Sequence, residues 1–472
     1  MKKIGVRYAR LSAAVVAAIW SASAAHGQTV TWDPSGAAPP VDGSGNWDTI
    51  SSQWFNGTTA VAWSNVTPDS AVLGTGTSAS TSPFNVALGT SITVQDLTLA
   101  NASATSYYNI GDQGDGGQTL TLAGNVLKTA TAGGTIFSLT NAINLTAGNH
   151  VFTLQDTPGD APPEMAMNNG LAGSGAITLD NGFNASGYPQ WGTLVLNVDS
   201  TYSGGTNVVK GRLVANTSNG LGTGTVTISS QGNLAFGGAG TSPVGNLVIN
   251  NPIVITRNTY TGTDYNDYPD AITSNNAGMP ASVMTLNNLT VDSTDARISA
   301  NTSSISIPNN ILQGPDVTNG MLTVDGDFAG FVTLGGDNSA LGGGIQLIGG
   351  VELNVSSQAN LGGASSTLTF NGSASLHPVG GFMTDFGTHN VNYSTFNGGL
   401  DVDAGQSFTI NQNLGGAGNT SGSIGKRGTG TLNLGGTSIL GGTTFWDTGV
   451  VNVTGSMTLG SLHLRSTVVN IM

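Results

Sequence analysis

Carboxylates are the most numerous side chains of this sequence that could do chemistry. All but two of its 26 acidic residues are aspartate, and the exceptions are Glu164 and Glu352. Two carboxylates on either side of a glycosidic bond can hydrolyse it, one as the acid and the other as the base or nucleophile. No two aspartates are adjacent in the chain. A catalytic pair would therefore require the fold to bring distant residues together.

Two acidic turns carry carboxylates that suit calcium, which prefers oxygen ligands. One turn contains Asp112 and Asp115 between glycines, and the other contains Asp264, Asp267 and Asp270. Neither turn occurs in tandem, as the glycine–aspartate turns of calcium-binding β-rolls do. A solvated loop is the alternative at both places. Beyond these calcium candidates we predict no cofactor and no metal.

Residues for other kinds of catalysis are scarce. Only 8% of the chain is charged, and it contains no cysteine. The five histidines are scattered without the spacing of zinc ligands. No Gly-x-Ser-x-Gly sequence marks a hydrolase nucleophile. We therefore predict no catalytic residue and a protein that is not an enzyme.

Four of the seven tryptophans fall in residues 28–65, namely Trp32, Trp47, Trp54 and Trp63. Large rings of this kind pack well over the open end of a sheet, which needs a cover against edge pairing. The sequence thus predicts an N-terminal cap. The functional alternative is a carbohydrate-binding surface in which Trp47, Trp54 and Trp63 stack on sugar rings.

The element that must position these side chains is a short β-strand, used many times. Apolar and polar residues alternate in runs such as Leu97-Thr98-Leu99 and Leu120-Thr121-Leu122. This period of two directs one set of side chains inward and the other to solvent. The 71 glycines, together with Asn, Asp and Ser, interrupt the runs at short intervals. Such a glycine content disfavours helices, so the sequence predicts an all-β protein.

A longer pattern repeats in residues 189–236, 343–376 and 425–453. Stacked copies of a short repeat build a continuous core that one copy cannot form alone. We assign structural roles to recurring glycines and leucines of these copies: Gly204, Gly205, Gly211, Leu213, Leu221, Gly222, Gly343, Gly344, Leu353, Leu361, Gly441, Gly442 and Gly449.

These stretches resemble the autotransporter-associated β-strand repeat of bacterial surface and secreted proteins. The resemblance is carried by Gly192-Thr193-Leu194-Val195-Leu196, by Tyr202-Ser203-Gly204-Gly205-Thr206 and by Gly428-Thr429-Gly430-Thr431-Leu432. It implies a right-handed parallel β-helix over residues 66–472, with a β-sandwich as the alternative fold. The third copy departs from the pattern at Phe445-Trp446-Asp447, where we expect the coil to bulge.

Residues 1–27 have the features of a secretory signal peptide, with four basic residues, an apolar stretch and then small residues. Cleavage between Gly27 and Gln28 is the preferred prediction. The net charge of −14 argues against nucleic acid and anionic lipid as partners. The signal peptide predicts export to the bacterial cell surface, outer membrane or extracellular space. No later stretch is apolar enough for a transmembrane helix.

These observations favour a non-catalytic passenger that acts as a stalk or adhesive surface, with glycans or other cell-surface molecules as partners. The sequence has no recognisable C-terminal β-barrel, so a translocator of that kind would be missing from it. A polysaccharide lyase or hydrolase is the rival hypothesis. β-helix enzymes similar to polygalacturonases combine clustered aspartates with Gly-His-Gly, and this sequence lacks that tripeptide.

Overall fold

The computed structural model describes residues 27–36, 39–74, 84–100, 108–111, 117–129, 136–155, 164–182, 192–237, 245–257, 270–274, 282–326 and 330–472. Of the predicted signal peptide only Gly27 lies among them. Asp112, Asp115, Asp264 and Asp267 also lie outside the described residues.

Short strands joined by turns make up nearly all of the regular structure. Up to residue 182 they are β1 (Thr29–Trp32), β2 (Gly45–Trp47), β3 (Trp54–Phe55), β4 (Ala60–Val61), β5 (Ser70–Leu73), β6 (Phe84–Leu88), β7 (Ile92–Val94), β8 (Leu97–Leu99), β9 (Tyr108–Ile110), β10 (Thr119–Leu122), β11 (Val126–Lys128), β12 (Ile136–Leu139), β13 (Ala142–Leu145), β14 (Asn149–Leu154), β15 (Glu164–Met167), β16 (Leu171–Gly173) and β17 (Ala176–Asp180).

The strands of the middle region include the longer β19, β20, β21 and β23. This region comprises β18 (Thr193–Leu196), β19 (Thr206–Ala215), β20 (Val226–Phe236), β21 (Leu247–Ile255), β22 (Ile272–Ser274), β23 (Val283–Val291), β24 (Ala296–Ala300), β25 (Ser304–Ile307), β26 (Leu312–Gln313), β27 (Met321–Gly326) and β28 (Phe331–Leu334).

The last region ends in the two longest strands of the described chain. It comprises β29 (Gly344–Leu347), β30 (Glu352–Val355), β31 (Thr367–Phe370), β32 (Ser375–Pro378), β33 (Asn390–Val391), β34 (Gly398–Asp401), β35 (Ser407–Ile410), β36 (Ile424–Arg427), β37 (Thr431–Leu434), β38 (Ser438–Val453) and β39 (Met457–Ile471). Three single-turn 3₁₀ helices lie here, at Gln358–Leu361, Val379–Gly381 and Tyr393–Thr395.

Strand pairing follows a simple rule from β5 to β18. Strand β8 pairs with β11, which pairs with β14. Strands β9, β12 and β15 form a second parallel row, and β10, β13 and β16 form a third. The chain therefore returns to the same row after every three strands. This order is that of a chain winding in stacked coils.

Parallel pairing continues through the described chain to β39. Among the described strands, antiparallel pairing occurs only between β1 and β3 and between β3 and β4. A β-sandwich consists of antiparallel strands, so that alternative is wrong. The structure confirms an all-β protein with one long, mainly parallel sheet, consistent with a β-helix or solenoid.

The core consists of the apolar side chains that alternate with polar ones along each strand. Leu97 and Leu99 are fully buried, whereas Thr98 between them is partly exposed. Neighbouring strands keep these residues in register, as in the pair Leu432 and Val451. Each coil thus adds a layer of apolar side chains to one continuous core, which stabilises the fold by removing apolar surface from water.

Asparagine side chains form hydrogen-bonded ladders between coils. Asn452 donates to Asn433 and Asn470 donates to Asn452, each at 2.8 Å. A second ladder joins Asn168, Asn197 and Asn216 at 2.7 Å per step. Coil length varies, because the linked residues are 19 positions apart in Asn433–Asn452 but 29 apart in Asn168–Asn197.

The glycines of the repeats meet two different requirements. Gly205, Gly211 and Gly449 adopt positive φ angles of 92°, 96° and 84°, which favour glycine. Gly204 lacks this conformation, but a Cβ atom there would lie 2.4 Å from the carbonyl carbon of Gly175. Gly222 and Gly344 meet the first requirement, a positive φ angle. Gly343, Gly441 and Gly442 meet the second, because neighbouring backbone leaves no room for a Cβ atom. The paired leucines of the first two copies, Leu213, Leu221, Leu353 and Leu361, are all fully buried.

The expected bulge at residues 445–447 is wrong. These residues lie within β38, and Trp446 is buried with its Nε1 donating to the carbonyl oxygen of Ile424 at 3.0 Å. The register between β38 and β39 shifts earlier, between Leu440 and Thr443. The indole thus occupies an inward position of a regular strand, with Lys426 as its neighbour in β36.

Candidate functional site

The N-terminal tryptophans pack against one another rather than face solvent. Trp54 lies at the centre of the group, with its ring centroid 5.0 Å from Trp32, 4.8 Å from Trp47 and 4.9 Å from Trp63. Trp32, Trp47 and Trp54 are fully buried, and Trp63 is 3% exposed. The predicted sugar-stacking surface on Trp47, Trp54 and Trp63 is therefore wrong, because a sugar ring needs an exposed aromatic face.

Asp270 is the one calcium candidate that the structure describes, and it belongs to a buried ion-pair group. Its Oδ1 atom lies 2.6 Å from Nε of Arg297, and a second nitrogen of Arg297 contacts the carboxylate of Asp325. Burial raises the pKa of Asp270 to about 6, although Arg297 opposes the shift. The carboxylate thus has a cationic partner from the protein itself. Among the described residues, no group of three His, Cys, Asp or Glu side chains is arranged to hold a metal ion.

A second group of charged side chains lies in the last region of the described chain, around His377. His377 in β32 has Nδ1 3.4 Å from Oε1 of Glu352 and Nε2 3.1 Å from Oδ1 of Asp403. Asn354, its neighbour in β30, accepts a hydrogen bond from Nδ1 at 3.0 Å. Hydrogen bonding to Glu352, followed by that to Asp403, raises the pKa of His377 to about 9. The imidazole is therefore a cation at neutral pH.

Charges of alternating sign continue outward from His377 on successive strands. Asp401 of β34 adds a carboxylate beside the ring and pairs in register with Arg427 of β36. In the next two strands, Asp447 and Arg465 form an ion pair with Oδ1 and Nε 3.4 Å apart. We call His377, Asp401, Arg427, Asp447 and Arg465 the charge row. Such alternation lets each charge lie beside one of opposite sign.

Lys426 points inward beside the charge row. Its side chain is fully buried, and its Nζ donates to the carbonyl oxygens of Arg427, Gly428 and Thr448. Desolvation lowers the pKa of this amine to about 8. Three carbonyl partners satisfy the ammonium group, so the residue acts as a buried link between two coils.

A groove of about 350 Å³ runs beside the charge row. Its floor consists of residues that pair across neighbouring strands: Ser375 pairs with Gly399, and Gly399 pairs with Gly425. Phe445 lies next in this direction, with its ring stacked on His463 at 4.9 Å between centroids. Arg427, Asp447 and Arg465 also line the groove. The site thus combines a small-residue floor, an exposed aromatic wall and two guanidinium groups.

No pattern in the sequence predicts this groove or the group around His377. Their residues lie between positions 352 and 465 and meet only because the strands stack in a particular register. One signal was available, because three of the eight Lys and Arg residues after position 27 lie at 426, 427 and 465. Such local enrichment in a chain poor in cations indicates a site for negative charge.

Comparison with known protein families, with curated proteins and with solved structures gave no match. No helix in the described part of the chain is both long and apolar enough to cross a membrane.

Proposed function

We propose that this protein is an exported, non-catalytic passenger that presents a stalk or adhesive surface on a bacterial envelope or outside the cell. Its fold would be a right-handed parallel β-helix of the autotransporter-associated type. The observation that carries the proposal is the parallel register, which continues strand by strand to β39. It aligns outward side chains into long rows, as a surface for extended contact requires.

The N-terminal segment would act as the cap of this β-helix. Strand β1 pairs in parallel with β5, whereas β3 and β4 run antiparallel beyond it. The buried tryptophans, of which Trp32 lies in β1 and Trp54 in β3, belong to the main core. A covered end of this kind would prevent another chain from adding to the sheet there.

The residues around His377 are the observation that favours the rival, a polysaccharide-cleaving enzyme. Glu352, Asp401 and Asp403 all act on His377 electrostatically or by hydrogen bonding. Two of these carboxylates are already ion-paired with the ring nitrogens. A catalytic carboxylate must instead be available to a leaving group or water. This geometry supports the binding role over the enzyme.

Export and activity can be tested separately. The full-length chain would be expressed with an epitope after Phe382, which is 85% exposed. We expect external protease to remove the epitope from intact cells, or the tagged protein to accumulate in the medium. Retention inside intact cells would contradict the proposal. The secreted protein would also be incubated with charged and neutral polysaccharides; formation of new reducing ends or unsaturated products, lost in a Glu352→Gln variant, would support the enzyme instead.

A further inference from the structure

We infer that the groove beside the charge row binds a carboxylate-bearing saccharide, a short oligomer of uronic acid residues. This inference rests on the proposed role as a binding surface, and it adds the ligand class and the place of binding. The cavity, at about 350 Å³, falls in the size range of small-molecule pockets. From Ser375 to Phe445 it crosses three strand spacings, about 14 Å, so an extended ligand fits along it.

The backbone conformation does not require the two glycines at the floor of the groove. Gly399 and Gly425 have no left-handed φ angle. A Cβ atom added at either residue would find its nearest neighbour at 3.4 or 3.5 Å, which is ordinary contact. The fold would thus accept alanine at both positions. Larger side chains there would fill the groove, so these two glycines keep space for a ligand.

The wall of the groove offers an aromatic face. Phe445 is 45% exposed, and His463 stacks on it with an interplanar angle of 24°. The apolar face of a sugar ring can pack against an exposed aromatic ring of this kind. The N-terminal tryptophans offer no comparable face because they are buried.

The charges at the groove indicate an acidic sugar rather than a neutral one. The whole chain has a net charge of −14, yet Arg427 and Arg465 both line this cavity. A guanidinium group can bind a carboxylate through two parallel hydrogen bonds, which an ammonium group cannot do. Asp447 lies between the two arginines along the charge row and can accept hydrogen bonds from sugar hydroxyls.

One polar group in the groove lacks a partner in the protein. Ser375 lines the cavity and is 2% exposed, and its Oγ atom makes no hydrogen bond. Buried hydroxyl groups in native structures nearly always have a partner. A ligand hydroxyl or carboxylate oxygen at the floor of the groove would supply it.

Isothermal titration with tetragalacturonate tests the inference on the full secreted chain. We expect measurable binding at pH 7 that weakens when salt is added, because the contact is partly ionic. Its methyl ester, which lacks the charges, should bind at least tenfold more weakly. Absence of binding by the acid at millimolar concentration, or equal binding of acid and ester, would overturn the inference.

Two variants locate the site. Gly425→Leu should reduce affinity at least tenfold by filling the floor, and Arg465→Gln should reduce affinity for the acid at least fivefold. Gly416→Leu is the matched control, because Gly416 lies in a separate groove with open space around its Cβ position. It should bind within twofold of the wild type. Equal binding by all three variants would overturn the assignment to this groove.

The outcomes separate this inference from the proposed function. If the chain stays inside cells but the groove variants lose binding, the proposed export fails and the ligand assignment survives. If the chain reaches the surface and binds other glycans without any effect of Gly425→Leu, the function survives and the groove assignment fails. Circular dichroism of each variant shows that the β-structure is retained.

Discussion

Nε2 of His377 lies 3.1 Å from Oδ1 of Asp403, a residue 26 positions further along the chain. Strand β32, which carries the histidine, pairs with β34, and Asp403 follows the end of β34. Glu352 approaches the other ring nitrogen from the strand on the opposite side. One imidazolium therefore links three successive layers of the stack.

This link makes stability depend on pH. The folded pKa of His377, about 9, exceeds the usual value of 6.5, so the folded state holds the proton more tightly. The stabilisation is complete below pH 6.5 and is lost as the pH rises through 9. We expect His377→Gln to cost about 1 kcal/mol at pH 6, a figure reduced for solvent screening, and almost nothing at pH 10. Urea unfolding at both pH values measures this difference. The same change at exposed His463 is the control, and an equal pH dependence in both variants would contradict the prediction.

Stability should depend on pH at the Asp270–Arg297–Asp325 group in the opposite sense from a simple surface ion pair. Burial raises the folded pKa of Asp270 to about 6, above the usual 3.8. This carboxyl therefore contributes increasing stability as the pH falls from 6 towards 4, and the contribution is lost as the pH rises through that window.

Arg297→Met should destabilise the protein by about 3 kcal/mol or more at pH 7.5, because Asp270 and Asp325 both lose the guanidinium group that they contact. We expect a smaller loss at pH 5, where Asp270 can take up a proton. Asp270→Asn is the companion variant and should show less pH dependence between pH 4 and 6 than the wild type. Thermal unfolding followed by circular dichroism measures both. An Arg297→Met loss that is identical at the two pH values would exclude this account.

The tryptophan group predicts a large effect of one truncation. Trp54 contacts Trp32, Trp47 and Trp63 at the centre of the group. Trp54→Ala should cost about 3–5 kcal/mol, because it leaves a cavity among buried rings. Chemical unfolding monitored by tryptophan fluorescence measures the cost. Phe382→Ala, at a residue that is 85% exposed, should stay within about 0.5 kcal/mol of the wild type. Similar values for the two variants would refute the central role of Trp54.

Two glycines of the last repeat should differ sharply in their tolerance of alanine. Gly449 has a φ of 84°, and a Cβ atom there would lie 2.4 Å from the carbonyl oxygen of Gly430. Gly449→Ala should cost about 2 kcal/mol. Gly425→Ala should be neutral or slightly stabilising, because its backbone conformation suits any residue and alanine restricts the unfolded chain. Differential scanning calorimetry compares the two, and equal melting temperatures would count against the distinction.

Local patterns in the sequence predicted much of the fold. The alternation at Leu97-Thr98-Leu99 correctly separated buried from partly exposed positions, because strand geometry alone sets that period. Leu213 and Leu353 are likewise buried, as repeat stacking requires. The sequence predicts a bulge at Phe445-Trp446-Asp447, whereas Trp446 occupies an inward position of the continuous strand β38. Its neighbour across the coils, Lys426, was needed to show that the position is inward.

The candidate site could not be predicted from such patterns. Which outward residues meet depends on coil length, and coil length varies along the chain, from 29 residues between Asn168 and Asn197 to 19 between Asn197 and Asn216. The contact between Glu352 and His377, for example, requires the register of β30 against β32. No local periodicity contains that information, since it arises from the turns that join the strands.

The unequal coils have a mechanical consequence. When the chain is pulled at both ends along the stacking direction, load passes from one coil to the next, so coils should detach one at a time. Coils of 19 and 29 residues would release roughly 65 and 100 Å of extended chain, respectively. In a single-molecule force trace, the order of short and long steps would then report which end of the stack yields first.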